Sequence, residues 1–202
     1  MGLLIGTAPV LFVLGEEPLD AVRLEISDPV QYPMSTEMIR AQELIARYQH
    51  LEALAVLREI IRKHDDHAPA RFLAASALMR LHRYDGARVL LEHMLEKDPQ
   101  NVGALNNLAW MYATAEDPAF RKPALAAELA RRALLRNPID FHVWSTMAEA
   151  HFANRDYARA ERAAREALSL ARDRNAPAPQ VFTYEEQVRK CTEAVRAFSI
   201  ID

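Results

Sequence analysis

A regular spacing of small residues constrains this chain more than any other feature of its sequence. Ala53, Ala87, Ala126 and Ala160 each lie in the middle of a run with helical periodicity, and the steps between them are 34, 39 and 34 residues. A period of this size is typical of supersecondary units that stack on one another. The spacing therefore predicts a stack of repeated helical units.

Each unit contains two short amphipathic patterns. Alanine at the predicted crossing points lets two helix backbones approach closely, while Leu, Met, Tyr and Trp fill the space between pairs. Asp98-Pro99 and Asn137-Pro138 separate units, because proline cannot extend a helix and disfavours the helical conformation in the residue before it. An all-α fold of helix pairs follows from these patterns.

Two units carry the most complete set of large and small residues. The second contains Ala75, Tyr84, Ala87, Leu91, Leu95 and Pro99, and the fourth contains Trp144, Met147, Ala148, Tyr157, Ala160, Ala164, Ala167 and Leu168. These residues resemble the tetratricopeptide repeat, in which small residues occupy the helix crossings. The resemblance implies a right-handed solenoid of antiparallel helix pairs.

The resemblance divides the chain into three regions. Four helical hairpins are expected at residues 34–67, 68–101, 102–140 and 141–174, with residues 1–33 before them and 175–202 after them. The first hairpin departs from the family pattern, since Glu37 and Asp65 stand where a large apolar residue and a proline are usual. The third is five residues longer than the others, and we interpret residues 116–123 as an expanded turn with a conformational role. Pro123 suits the first turn of the helix that follows.

Residues 175–202 are predicted to form a proline-containing linker and a capping helix. Thr183 and Glu186 have the spacing of a capping box, which places the start of this helix at Thr183 and its end near Phe198. Cys191 is the only cysteine, so an intrachain disulfide is excluded. We expect Cys191 to be buried where the helix covers the last repeat.

Residues 1–33 combine an apolar run with acidic residues. Leu3 to Leu14 is apolar, and Glu16, Glu17 and Asp20 follow it. The run is shorter than the roughly 20 residues that span a bilayer, and it lacks the basic start of a secretory signal. It is therefore a weak signal or anchor, the end of a longer membrane helix, or a segment packed on the repeats. The membrane interpretations are favoured and place the protein in the cell envelope or outside the cell, with the cytoplasm as the alternative.

The family resemblance also implies a partner-binding groove on the concave side, lined by one stripe of each first helix. The predicted binding residues are Met38, Gln42, Phe72, Ser76, Met79, Asn106, Trp110, Ser145, Glu149 and Phe152, and Ile45 and Ala113 lie on the same stripe. For Met38 and Ile45 a core role is equally consistent with the pattern. For Phe72, Trp110 and Phe152 binding is favoured, because other stripes supply the core between helices. A clamp for a terminal carboxylate is disfavoured, since Phe72 and Leu73 occupy places where it needs basic or amide groups.

Other functional classes have weak support in the sequence. A net charge of −3 argues against binding nucleic acid through phosphate neutralisation. The His64-Asp-Asp-His67 run resembles a metal site but is better explained as a helix end, where the dipole favours histidine. No glycine-rich phosphate loop or nucleophile motif is present, and we expect no catalytic residue, cofactor or metal. Alternating Arg and Glu on the second helices indicate a solvated outer face with ion pairs rather than a binding patch.

Taken together, the sequence predicts a non-enzymatic scaffold that binds a partner peptide or helix in an apolar concave groove. The same scaffold is predicted to be membrane-tethered or exported through residues 1–15. The alternative is a self-associating structural module, whose groove is filled by its own amino-terminal segment or by another copy.

Overall fold

The computed structural model describes residues 35–198 of the chain, and helices are the regular elements of this part. Its α-helices are α1 Thr36–Ala46, α2 His50–Lys63, α3 Ala68–Arg80, α4 Tyr84–Lys97, α5 Val102–Thr114, α6 Pro123–Arg136, α7 Phe141–Ala153, α8 Tyr157–Asp173 and α9 Ala178–Phe198. Helices α1 to α8 form four consecutive pairs that stack along the chain, and α9 packs on α7 and α8. The predicted all-α solenoid is confirmed.

The four alanines that set the repeat period lie at the helix crossings. Ala53, Ala87, Ala126 and Ala160 all have an exposed fraction of 0%. A larger side chain at a close-packed crossing forces the two helices apart or into strained rotamers. The small residues that set the period therefore all lie in fully buried positions, as a close approach of two helices requires.

Several helices have an N-cap side chain that accepts a hydrogen bond from the first turn. Ser35 Oγ accepts a hydrogen bond from Met38 N at 3.2 Å, Asn101 Oδ1 accepts from Ala104 N at 2.9 Å, and Asp156 Oδ1 accepts from Arg159 N at 3.2 Å. These contacts satisfy backbone N–H groups that have no partner inside the helix. They fix the residues at which α1, α5 and α8 begin.

The turns inside three of the four pairs share one backbone conformation. Tyr48, His82 and Arg155 have φ values of 60°, 55° and 60°, in the left-handed region that residues with a Cβ rarely adopt. They stand at the same place in the first, second and fourth pairs. In the described chain no residue between α5 and α6 has a positive φ, because the third pair replaces this tight turn with a longer one.

The longer turn of the third pair is folded and anchored. Pro118–Phe120 forms one turn of 3₁₀ helix, and Arg121 Nε donates to the carbonyl oxygen of Ala115 at 2.7 Å. The Phe120 ring packs on Tyr84 with 5.3 Å between ring centroids, and Glu116 N donates to Tyr84 Oη at 3.2 Å. The turn thus braces the start of α4, and Pro123 begins α6 as predicted.

The capping box predicted at Thr183 is wrong. Helix α9 begins at Ala178, and Thr183 lies inside it, where its Oγ1 donates to the carbonyl oxygen of Pro179 at 3.1 Å. Proline is tolerated in the first turn because its missing N–H would have no helical partner there. The helix therefore starts five residues earlier than predicted. Cys191 is fully buried, as expected.

Candidate partner-binding surface

The predicted stripe lies on α1, α3, α5 and α7, and most of its large side chains are buried. Phe72 and Trp110 have exposed fractions of only 3% and 4%. Met38, Ile45, Met79 and Ala113 are also buried, whereas Gln42, Ser76, Glu149 and Phe152 are partly buried. The binding role of these residues stays a prediction, and the structure adds that Phe72 and Trp110 are packed side chains.

Phe72 fills the space between α3 and α5. A Cβ placed on Gly103, in the first turn of α5, would lie 3.0 Å from Phe72 Cε2. This distance is too short for an unstrained contact, so the glycine permits the close approach of the aromatic ring. The sequence assigned Phe72 to a free groove, but periodicity alone did not reveal that the neighbouring helix reaches its ring.

Some polar groups of the stripe form hydrogen bonds, one of them between neighbouring first helices. Ser76 Oγ donates to the carbonyl oxygen of Phe72 at 3.0 Å, and Asn107 Nδ2 donates to Ser76 Oγ at 3.0 Å. Asn107 Oδ1 itself has no hydrogen-bond partner within the described chain. Asn106 and Ser145 make no side-chain hydrogen bond at all among the described residues. They have exposed fractions of 5% and 1%, and within the described chain Asn106 Oδ1 and Ser145 Oγ have no hydrogen-bond partner.

The fourth pair presents its stripe to the last helix of the same chain. Gln187 Nε2 donates to the carbonyl oxygen of Ser145 at 3.1 Å and to Glu149 Oε1 at 2.9 Å. Lys190 Nζ donates to Glu149 Oε2 at 2.8 Å and lies 4.2 Å from the centroid of the Phe152 ring. Helix α9 therefore occupies this end of the stripe through Gln187 and Lys190. Sequence reasoning missed both residues, because it assigned α9 to an apolar cover only.

Titratable groups in the same region are held neutral. Tyr184 Oη lies 2.9 Å from His142 Nδ1, and burial lowers the pKa of His142 to about 3 and raises the pKa of Tyr184. Burial also raises the pKa of Cys191 to about 12. The Cys191 thiol is thus in the protonated form that is a poor nucleophile.

The acidic run at the end of the first pair belongs to a cluster that the sequence did not indicate. Asp65, Asp66 and His93 bring potential ligand atoms within 4.8 Å of one another. His93 comes from α4, so its proximity depends on the stacking of the pairs. Asp65 pairs with Arg71 at 2.5 Å and Asp66 with Lys97 at 3.4 Å. His67 instead caps α3, accepting a hydrogen bond from Ala70 N at 3.2 Å.

None of the helices within residues 35–198 has both the length and the apolarity to cross a bilayer. The predicted anchor, residues 1–15, lies outside the described residues.

Comparisons with known proteins agree on the fold. Residues 44–109 match the family described as tetratricopeptide repeat. No curated protein sequence matches the chain. Similar solved structures include the first TPR domain of human RPAP3, with 21% identity over 64% of this chain and 93% of that chain and a TM-score of 0.54.

Two further structures extend this likeness. The Sgt2 TPR domain from Aspergillus fumigatus has 25% identity over 65% of this chain and 83% of that chain, with a TM-score of 0.52. A thermophilic TPR protein from Thermus thermophilus has 14% identity over 81% of this chain and 95% of that chain, with a TM-score of 0.59. At these identities the likeness establishes the architecture and does not identify a ligand.

Proposed function

Because this chain carries tetratricopeptide repeats, we propose that it is a non-enzymatic scaffold that binds a partner peptide or helix along the stripe of its first helices. Repeats of this family generally bind protein partners. The stripe side chains that keep partial exposure are Gln42, Ser76, Glu149 and Phe152. Asn106 and Ser145 lie at the same register on successive first helices.

The observation that carries this proposal is the pair of unsatisfied buried polar atoms on the stripe. Burying a hydrogen-bonding atom without a partner costs about 1–3 kcal/mol, and native proteins keep few such atoms. Asn106 Oδ1 can accept a hydrogen bond from a partner's N–H, and Ser145 Oγ can donate to a carbonyl or accept from an N–H. A bound polypeptide that reached these atoms would remove a cost that the described chain carries by itself. At Ser145 this requires α9 to move, because α9 covers that end of the stripe.

A double substitution separates this role from folding. Asn106→Ala together with Ser145→Ala removes the unsatisfied atoms but also some packing. We therefore expect the free energy of unfolding to fall by no more than about 1 kcal/mol, because the relieved cost offsets the lost contacts. Affinity for a partner first identified by capture and mass spectrometry should fall at least tenfold, measured by titration calorimetry. Unchanged affinity in a folded variant would contradict the proposal.

The neighbouring asparagine supplies the matched control. Asn107 Nδ2 donates to Ser76 Oγ across two helices, so Asn107→Ala removes a made hydrogen bond together with the unsatisfied Asn107 Oδ1. We expect this variant to lose about 1 kcal/mol of unfolding free energy.

We also propose that residues 1–15 tether the scaffold to a membrane or direct its export. The competing proposal is that this segment, or that of another copy, fills the stripe. Deleting residues 2–15 discriminates the two when thermal unfolding, oligomeric state and membrane fractionation are compared with those of the full chain. A folded variant that leaves the membrane fraction and still binds its partner supports tethering. A loss of stability or of the oligomer supports the filled stripe and contradicts tethering as the segment's role.

A further inference from the structure

A cleft of about 570 Å³ opens between α6, α7 and α8, away from the stripe described above. Each helix region contributes residues spaced three or four apart, so each presents one face to the cleft. The residues lining it are Arg131, Leu134, Leu135, Pro138, Trp144, Met147, His151, Arg159, Arg162, Ala163 and Glu166. Its volume lies within the roughly 300–1,000 Å³ of ligand sites.

The cleft lies on the opposite side of α7 from the stripe. At about 100° per residue, Trp144, Met147 and His151 face away from Ser145 and Glu149. One helix therefore serves two surfaces, and a substitution in the cleft leaves the stripe residues in place.

The cleft has an apolar interior, and one of its apolar side chains is strongly exposed. Leu134 and Met147 are nearly buried and form its floor, whereas Leu135 beside them is 70% exposed. The Trp144 ring is fixed in the wall because its Nε1 donates to the carbonyl oxygen of Pro138 at 2.8 Å. An apolar side chain that entered here would cover Leu135 and contact the indole, removing apolar area from water.

Cations border this apolar interior. Arg131 pairs with Glu128 at 2.8 Å and Arg159 pairs with Asp156 at 3.2 Å. Both arginines are exposed, so these ion pairs contribute little stability. Arg162 forms no hydrogen bond or ion pair within the described chain. Two of the three arginines are thus matched by carboxylates, and Glu166 is the single carboxylate among the lining residues. Arg162 is the cation at the opening that can take a carboxylate from outside.

We propose that this cleft is a second protein-binding site and that it takes a short acidic peptide segment carrying a large apolar side chain. The apolar side chain packs between Leu135 and Trp144, and a carboxylate of the segment pairs with Arg162. Charge complementarity at Arg162 selects an acidic occupant over a basic one, because Arg162 lacks an ion-pair partner among the described residues and a basic segment would be repelled by it. The inference goes beyond the proposed stripe and does not depend on it.

A peptide selection on the full chain tests this proposal with a defined probe. A displayed library of random eight-residue peptides is selected on the immobilised protein at low salt, and an enriched peptide is synthesised with a fluorescein label. We expect enriched peptides to contain at least two acidic residues beside Leu, Ile, Phe or Trp. Fluorescence anisotropy should show that their affinity weakens as salt is raised.

Substitutions in the cleft then locate the binding. Arg162→Glu and Leu135→Ser should each weaken the labelled peptide at least tenfold, with Arg162→Gln intermediate. Arg165→Glu is the matched control, since it makes the same charge change on α8 but lies outside the cleft and pairs with Glu161; its affinity should stay within about twofold. All three positions are exposed, and circular dichroism verifies that each variant folds.

Three results would overturn the cleft as the site. The first is a selection that enriches no peptide, and the second is an enriched set without acidic residues. The third is a peptide that binds equally to the parent and both cleft variants. A peptide weakened instead by Asn106→Ala with Ser145→Ala would place binding on the stripe, which supports the proposed function while rejecting the cleft. A peptide whose affinity is weakened only by the cleft substitutions is assigned to the cleft.

Discussion

At the scale of single residues, side-chain size decides how the helices meet. Fully buried alanines occupy the crossings, and Gly103 allows the Phe72 ring to lie against the start of α5. Large residues such as Trp110 then fill the spaces that remain. Trp110 is only 4% exposed. Its side chain therefore contributes to the stability of the fold.

We expect Trp110→Ala to lower the free energy of unfolding by about 3–5 kcal/mol, since it removes a buried aromatic side chain and leaves a cavity. Urea denaturation followed by circular dichroism measures this change. Leu135→Ala is the control, because Leu135 is 70% exposed and its loss should change stability by no more than about 0.5 kcal/mol. Equal stability of the parent and Trp110→Ala would show that Trp110 is not a packed residue.

At the scale of elements, α9 docks through polar contacts as well as apolar ones. Gln187 and Lys190 bind groups on α7, and Thr192 Oγ1 donates to Glu161 of α8 at 2.7 Å. Tyr184 Oη lies 2.9 Å from His142 Nδ1. The Tyr184 ring packs edge-on against the Phe141 ring, with 5.8 Å between ring centroids. One contact of this helix is therefore made with a histidine whose pKa burial lowers.

Acidification should therefore weaken the fold. Burial holds the pKa of His142 near 3, below its ordinary value of 6.5, so the unfolded chain takes up a proton at a pH where the folded chain does not. Stability from this group is complete above pH 6.5 and falls as the pH drops toward 3, by at most about 1.4 kcal/mol per unit. The pKa values of His50, His67 and His151 are also lowered by burial and act in the same direction.

The contribution of His142 can be isolated with His142→Asn, which keeps an acceptor near Tyr184 and removes the titration. Between pH 7.5 and pH 5.0 the variant should lose less unfolding free energy than the parent, by up to about 2 kcal/mol. Urea denaturation at both pH values measures the difference, with His64→Asn as the control at an exposed histidine. An identical pH dependence in parent and His142→Asn would refute this explanation.

At the scale of the whole molecule, stacking creates surfaces that no single pair contains. The stripe crosses four first helices, whereas the cleft needs α6, α7 and α8 together. A solenoid can present separate surfaces because each pair contacts mainly its neighbours. The expanded turn of the third pair is compatible with this arrangement, since it lies between two helices of one pair and packs on Tyr84.

The sequence by itself determined the helix pairs, their period and the alanine crossings, because these depend on residue size and helical periodicity within one unit. It also placed Pro123 at a helix start. The capping box at Thr183 failed because a proline-containing first turn was read as a linker. Only the tertiary structure decided that Phe72 and Trp110 are buried, that Gln187 and Lys190 occupy one end of the stripe, and that three arginines border an apolar cleft. Periodicity tells which residues share a face, but what covers that face depends on how close the neighbouring helices come.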